Sequence, residues 1–288
     1  MANWLQSSNA VGLLSRKQAA SWTTPVRGVG PPPSFPLARR KVQRVEFTVA
    51  GVQKAGTTAL HYFLAKHPNI ALPRDQALHF FDKEEHFKEE PDYEILHGNF
   101  DPGWRWRIAG EVTADYVYYT PAMERMARYN PAMKLIISLR NPTSRAFSHW
   151  NMRRAKGREA LEFVEAIQRD REQIIPGTLR GNAHLERGFY AAQIERVFEL
   201  FPREQVLLIK YEDFRADHAR TLDDVFDFLG IHRLPGLKNK EQNAGPYQRK
   251  ITAEEREYVS AIFAEDIGRL EALLGWDCSD WRFKSPGV

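Results

Sequence analysis

Residues 47 to 67 read FTVAGVQKAGTTALHYFLAKH, and their reading decides the fold. Phe47, Val49 and Val52 carry the alternation of a strand, Gly51 and Gly56 bound a short loop, and Leu60, Phe63 and Leu64 then follow at helical spacing. The segment is a strand, a loop and a helix. Such a loop turns several backbone N–H groups and the positive end of a helix toward one point, where a phosphate or sulfate is held. Gly51 and Gly56 stand where a nucleotide-binding G-x-x-x-x-G loop has its glycines, but Thr57 occupies the position of that loop's lysine. The lysine is inside the loop instead, at Lys54. An ordinary glycine-containing turn reads the same way in isolation, so the rest of the chain has to decide.

The chain has 288 residues and 43% apolar composition, enough for a full core. Cys278 is the only cysteine, which excludes an intramolecular disulfide and a cysteine-based zinc cluster and points to a reducing compartment, the cytoplasm. No apolar run approaches the roughly 18 residues of a membrane span, so no membrane anchor is expected. The net charge of +4 hides an uneven distribution. Residues 1 to 45 contain no acid and seven bases, and Arg125 to Arg158 contain no acid and nine bases. The remainder is acidic, a pattern that fits a small polyanion and not a nucleic-acid face.

Residues 1 to 41, rich in Ser, Gly, Pro and Arg, are expected to be a flexible basic leader. Their lack of acids also fits an organelle-targeting segment. The folded domain is expected over 42 to 288. Within it, strands at Asn69–Leu72, Ile108–Val112, Lys134–Leu139 and Val206–Lys210 alternate with helices over Pro121–Tyr129, from Pro142, over about Glu159–Arg171 and Phe189–Phe201, around Leu222–Leu229, and from a Thr252–Glu255 capping box. This predicts a single α/β domain with a central parallel sheet flanked by helices.

Ligands of such sheets bind at the carboxyl ends of the strands, so the loop at 52 to 57 and the residues after Leu139 face one crevice. A P-loop kinase or NTPase has a magnesium-binding aspartate at the second strand end. This chain has Arg140 there, followed by Arg145 and Ser148. Metal binding is not expected, and anion binding is.

Together, Lys54-Ala55-Gly56-Thr57-Thr58 and the stretch Leu139-Arg140-Asn141-Pro142-Thr143-Ser144-Arg145-Ala146-Phe147-Ser148-His149 resemble the two cofactor motifs of sulfotransferases that use 3′-phosphoadenosine 5′-phosphosulfate (PAPS). In motif style they are similar to the heparan sulfate and bacterial branch. The resemblance runs from about Val45 to Trp281. It implies that Lys54, Ala55, Gly56, Thr57, Thr58 and Ala59 hold the 5′-phosphosulfate, that Arg140 and Ser148 bind the 3′-phosphate, and that Tyr247 and Arg249 lie in a loop over the nucleotide. The product would be adenosine 3′,5′-bisphosphate. The acceptor would be a hydroxyl or amine on a carbohydrate, a carrier-linked group or a small molecule.

Similar enzymes read Lys-Glu-x-His-Phe-Phe-Asp after the second strand, with the glutamate as general base. Here His79-Phe80-Phe81-Asp82 agrees, but Gln76 and Ala77 replace the lysine and glutamate. Either activity is reduced, leaving a PAPS-binding protein, or another group serves. His79 is the first candidate because its ordinary pKa is near neutrality, and Asp75 is the second. Lys54, His79 and Asp82 are thus the candidate catalytic residues. Val112 also departs from the resemblance, since a lysine is common there. Trp104, Trp106 and Trp150 are candidates for stacking on a sugar, and Arg153, Arg154, Lys156 and Arg158 for attracting an anionic acceptor.

Overall fold

The computed structural model describes residues 39–103, 105–173, 183–237, 247, 249 and 250–283. The expected leader falls outside this range except for its last three residues, of which Arg40 forms an antiparallel bridge with Gly103.

Strand β1 (Phe47–Gly51) leads through the loop into helix α1 (Thr57–Leu64). Strand β2 (Ile70–Ala71) follows, then a one-turn helix α2 (Glu94–His97), strand β3 (Ile108–Val112) and helix α3 (Thr120–Tyr129). Strand β4 (Lys134–Leu139) enters α4 (Pro142–Ala155), and α5 (Phe163–Glu172) and α6 (Ala191–Leu200) precede β5 (Val206–Lys210). Helices α7 (Tyr211–Ala216), α8 (His218–Leu229) and α9 (Ala253–Leu274) complete the unit. The five strands form one parallel sheet in the order β2-β3-β1-β4-β5.

Both faces of the sheet are covered, as the continuous apolar strands require. Phe47 and Val49 of β1 and Ile136 of β4 pack with Leu60, Phe63, Leu222 and Phe226 on the α1 and α8 side. Ala50, Leu135, Ile137 and Leu139 pack with Met123, Phe147, Ile194 and Phe263 on the other. The period of two along each strand thus feeds two separate cores.

The expected elements are present with shifted ends. Helix α5 starts at Phe163, later than Glu159, because Glu162 forms a capping box with Glu165 while Glu159 turns inward to accept from Arg169 at 2.8 Å and face His184 at 3.0 Å. At α9 the Thr252–Glu255 capping box forms as the spacing predicts.

Candidate active site

The loop between β1 and α1 is fixed from β4. Val52 N–H donates to the Ser138 carbonyl at 2.9 Å, the Ser138 hydroxyl donates to the Ala55 carbonyl at 2.7 Å, and Arg140 Nη1 donates to the Lys54 carbonyl at 2.9 Å. Lys54 and Gly56 both adopt left-handed backbone conformations, with φ of 74° and 83°. Glycine does this without penalty, whereas lysine costs about 1 kcal/mol or more. Helix α1 begins with no side-chain cap and no acid in its first turn. Its first N–H groups are left for an anion.

Positive charge converges on this point. Burial pushes the Lys54 pKa below its ordinary value, and the cations Arg140, Lys156 and Arg145 push it the same way, while Tyr247 opposes them. An anion bound here would relieve that repulsion. Tyr247, half-exposed, hydrogen-bonds to Ser148; burial would raise its phenol, but bonding to Ser148 and the charges of Arg140 and Lys54 draw it below the ordinary tyrosine value. Ser148 is buried on α4, whose start is capped by Asn141 accepting from Ser144 N–H at 3.0 Å. The guanidinium of Arg140 lies 4.8 Å from the Tyr211 ring centre. Lys54, Arg140, Ser148 and Tyr247 thus form one site. Thr57 and Ala59 are buried at the helix start, and Thr58 is partly exposed.

Arg249 is engaged beside this site. It makes a two-pronged pair with Glu255, both bonds at 2.7 Å, and its guanidinium lies 4.8 Å from the Trp150 ring centre. Trp150 itself is 1% exposed and stacks in the core with Phe147, so it cannot stack on a sugar. Trp104 lies outside the described residues, and Trp106 is partly buried under Arg40. Arg154 is paired with Glu162, and Arg153 donates to the Arg158 carbonyl, which accounts for part of the basic stretch.

The segment carrying His79 sits over the end of β3, next to β1 in the sheet. Ala77 N–H donates to the Val112 carbonyl at 3.1 Å, and Thr113 N–H donates to the Val49 carbonyl at 3.2 Å. Val112, at the position where similar enzymes often have a lysine, is 2% exposed and packs in the core. His79 Nδ1 is 2.7 Å from Asp82 Oδ2, and the buried Asp82 carboxylate can only accept, so Nδ1 carries the proton. The His79 side chain is 39% exposed, which leaves Nε2 free to take a proton. The bond to Asp82 raises the His79 pKa, burial opposes it, and the charges of Asp82, Asp115 and Glu111 add to the rise.

Two acids beside His79, Glu111 and Asp115, do not stand out as site residues in the sequence. Glu111, on β3, is fully buried and accepts from the Thr113 hydroxyl at 2.9 Å. Asp115 pairs with Arg187, whose guanidinium lies 4.6 Å from the Tyr118 ring centre. One signal was available: an acid within the apolar run Ile108-Ala109-Gly110-Glu111-Val112.

The model of the sulfotransferase domain matches residues 45–256. The human bifunctional heparan sulfate N-deacetylase/N-sulfotransferase 3 is 31% identical over 204 residues, covering 65% of this chain and 22% of that protein. The mouse heparan sulfate glucosamine 3-O-sulfotransferase 3B1 is 31% identical over 186 residues, covering 65% of this chain and 46% of that protein. The chain therefore spans less than half the length of these curated relatives. A crystal structure of a sulfotransferase from Alicyclobacillus acidocaldarius is 30% identical, with a TM-score of 0.73 over 83% of this chain and 99% of that one. By the extent of the matched domain and the coverage of this last structure, the chain belongs to the sulfotransferase family.

Proposed function

We propose that this protein transfers the sulfuryl group of PAPS to a hydroxyl, or an amine, of a carbohydrate acceptor. The observation that carries the reading is the convergence of Lys54, Arg140 and the Ser148–Tyr247 pair beside the uncapped start of α1. This donor set fits a phosphosulfate and a second phosphate, and it consists of cations, hydroxyls and N–H groups that need no bridging metal. The family uses PAPS, and the names of the heparan sulfate relatives support a carbohydrate acceptor.

In the proposed step the acceptor oxygen forms a bond to sulfur as the bond from sulfur to the bridging phosphate oxygen breaks in line. Lys54 holds the developing charge on that oxygen, and the α1 N–H groups hold the phosphosulfate. Arg140 and Ser148 fix the 3′-phosphate and so orient the donor. His79 Nε2 takes the acceptor proton, and Asp82 stabilises the resulting imidazolium. His79 rests on the same sheet edge as the Lys54 loop, because β3 and β1 are paired in register from Phe47↔Gly110 to Val49↔Val112. A second reading, a PAPS-binding protein with reduced transfer, is favoured by Ala77 alone, since alanine accepts no proton.

Thermal denaturation with adenosine 3′,5′-bisphosphate in the absence of magnesium tests the donor site, and stabilisation is expected. Stabilisation by Mg-ATP alone would support a kinase or NTPase instead. Turnover of labelled PAPS with a panel of oligosaccharide acceptors tests transfer, and His79→Ala is expected to abolish it while leaving bisphosphate binding intact. Binding without turnover of any acceptor would favour the second reading.

A further inference from the structure

We propose that Glu111 is a positioning residue for proton transfer, holding the His79 backbone in place through the hydroxyl of Thr113. The inference rests on the reading of His79 as the base. Three consecutive backbone N–H groups of the base segment point toward β3. His79 N–H donates to the Thr113 hydroxyl at 3.5 Å, Phe80 N–H to the Tyr116 hydroxyl at 3.0 Å, and Phe81 N–H to the same hydroxyl at 3.4 Å. The Thr113 hydroxyl has one proton of its own and donates it to Glu111 Oε2 at 2.9 Å, while the Tyr116 hydroxyl, which accepts from Phe80 and Phe81, lies near enough to the same carboxyl to influence its titration. The carboxyl thus anchors the segment at His79, through Thr113.

What the anchor holds is a strained conformation. His79 has φ of 53° and Ala77 φ of 61°, left-handed values that cost a non-glycine residue about 1 kcal/mol each and persist only where the surroundings enforce them. Glu111 is 0% exposed, and its Oε1 has no hydrogen-bond partner. A buried carboxyl with one orphaned oxygen is an expensive group to keep in a strand. A purely structural strand has no use for it. The groups facing it are His79, Asp82, Tyr116 and, more distantly, Tyr129.

Burial raises the Glu111 pKa to about 7, the neighbouring hydroxyls of Thr113 and Tyr116 work against the rise, and the charge of Asp82 adds to it. Glu111 and His79 act on each other's titration, the ionised carboxylate favouring the imidazolium and the imidazolium favouring the carboxylate. Ionised Glu111 raises the His79 pKa, so its removal moves the acid limb of kcat to lower pH.

Glu111→Gln keeps the shape and an acceptor oxygen but removes the charge. It is expected to lower kcat by about 10- to 100-fold, to shift the acid limb of the kcat profile to lower pH, and to leave the KM for PAPS and the binding of adenosine 3′,5′-bisphosphate unchanged. Thr113→Val is expected to lower kcat in the same way, and Thr113→Ser, which keeps the hydroxyl, to restore most of the loss. The Thr113 pair carries the test if Glu111→Gln does not fold, with bisphosphate binding as the measure of folding. Wild-type kcat and pH profile in Glu111→Gln or Thr113→Val, alongside an inactive His79→Ala, would overturn the anchoring role and leave the base assignment standing. Full activity of His79→Ala would remove the base assignment and the anchoring role with it.

Discussion

Arg140 Nη1 donates to the backbone carbonyl of Lys54 at 2.9 Å, so the side chain that ends β4 fixes the loop that follows β1. Because Arg140 has five donors and spends one on this carbonyl, the rest of its fork can face an anion while the loop stays in register. Arg140→Ala is expected to weaken binding of adenosine 3′,5′-bisphosphate by about 10- to 100-fold, the loss of charged hydrogen bonds worth roughly 1.5–3 kcal/mol. Isothermal titration calorimetry measures it. Arg140→Lys is expected to recover little, since a point charge cannot serve both partners. Full recovery would mean that charge alone matters at this position.

Lys54 is the second test. Its pKa is lowered by burial and by the neighbouring cations, and a bound anion reverses that trend. Its amine is therefore expected to react with acylating reagents faster than exposed lysines and to be protected by adenosine 3′,5′-bisphosphate, as peptide mass mapping would show. Lys54→Ala is expected to reduce kcat by about 100- to 1000-fold, the range for loss of one group stabilising developing charge on oxygen. A change confined to KM would assign Lys54 to binding and not to the leaving group.

The donor half was legible in the sequence because its parts are local. Lys54 and Gly56 lie in one loop, and Arg140, Asn141 and Ser148 lie on one strand end and the helix after it, so spacing and strand order were enough to bring them to one sheet edge. The strands were legible because most of them are short, nearly continuous apolar runs, as strands buried on both faces require. The acceptor half was not local. His79 stands in a motif of its own segment, but the hydroxyls that hold that segment, Thr113 and Tyr116, lie more than thirty residues away in the chain. No periodicity encodes a hydroxyl that bridges a backbone N–H to a carboxylate. The start of α5 shifted for a similar reason, because Glu159 serves a buried partner instead of a helix turn.

That partner cluster lies behind α4. Burial works against the charge of Glu159, but bonds from Arg169, His184 and Leu161 N–H outweigh it and lower its pKa to about 2 from an ordinary 4.5. A depressed carboxylate contributes stability that is complete above its unfolded value and is lost as pH falls through the folded one. Thermal stability of the wild type is therefore expected to decline between about pH 4.5 and about pH 2, beyond the decline shown by Glu159→Gln. At neutral pH, Glu159→Gln is expected to cost about 1–3 kcal/mol in chemical denaturation, because Arg169 and His184 lose the charge of their shared partner and one of its two acceptor oxygens becomes a donor. Equal acid sensitivity of the two proteins would remove Glu159 from the account.

Ala77 supplies the last test, because it separates two ways of replacing a missing glutamate. Its N–H is committed to the Val112 carbonyl at 3.1 Å and its φ is 61°, so the backbone at position 77 is fixed and a longer side chain there inherits a left-handed conformation. If His79 with Asp82 has taken over proton transfer, a carboxylate added at 77 has no proton left to take in the wild-type background. Ala77→Glu is then expected to leave kcat unchanged, to lower thermal stability slightly, and to restore measurable turnover when combined with His79→Ala. A rise in kcat of the single variant, with no dependence on His79, would instead mean that position 77 is still the base site and that the natural protein runs below its capacity. Steady-state turnover of PAPS by the two single variants and the double variant decides between them.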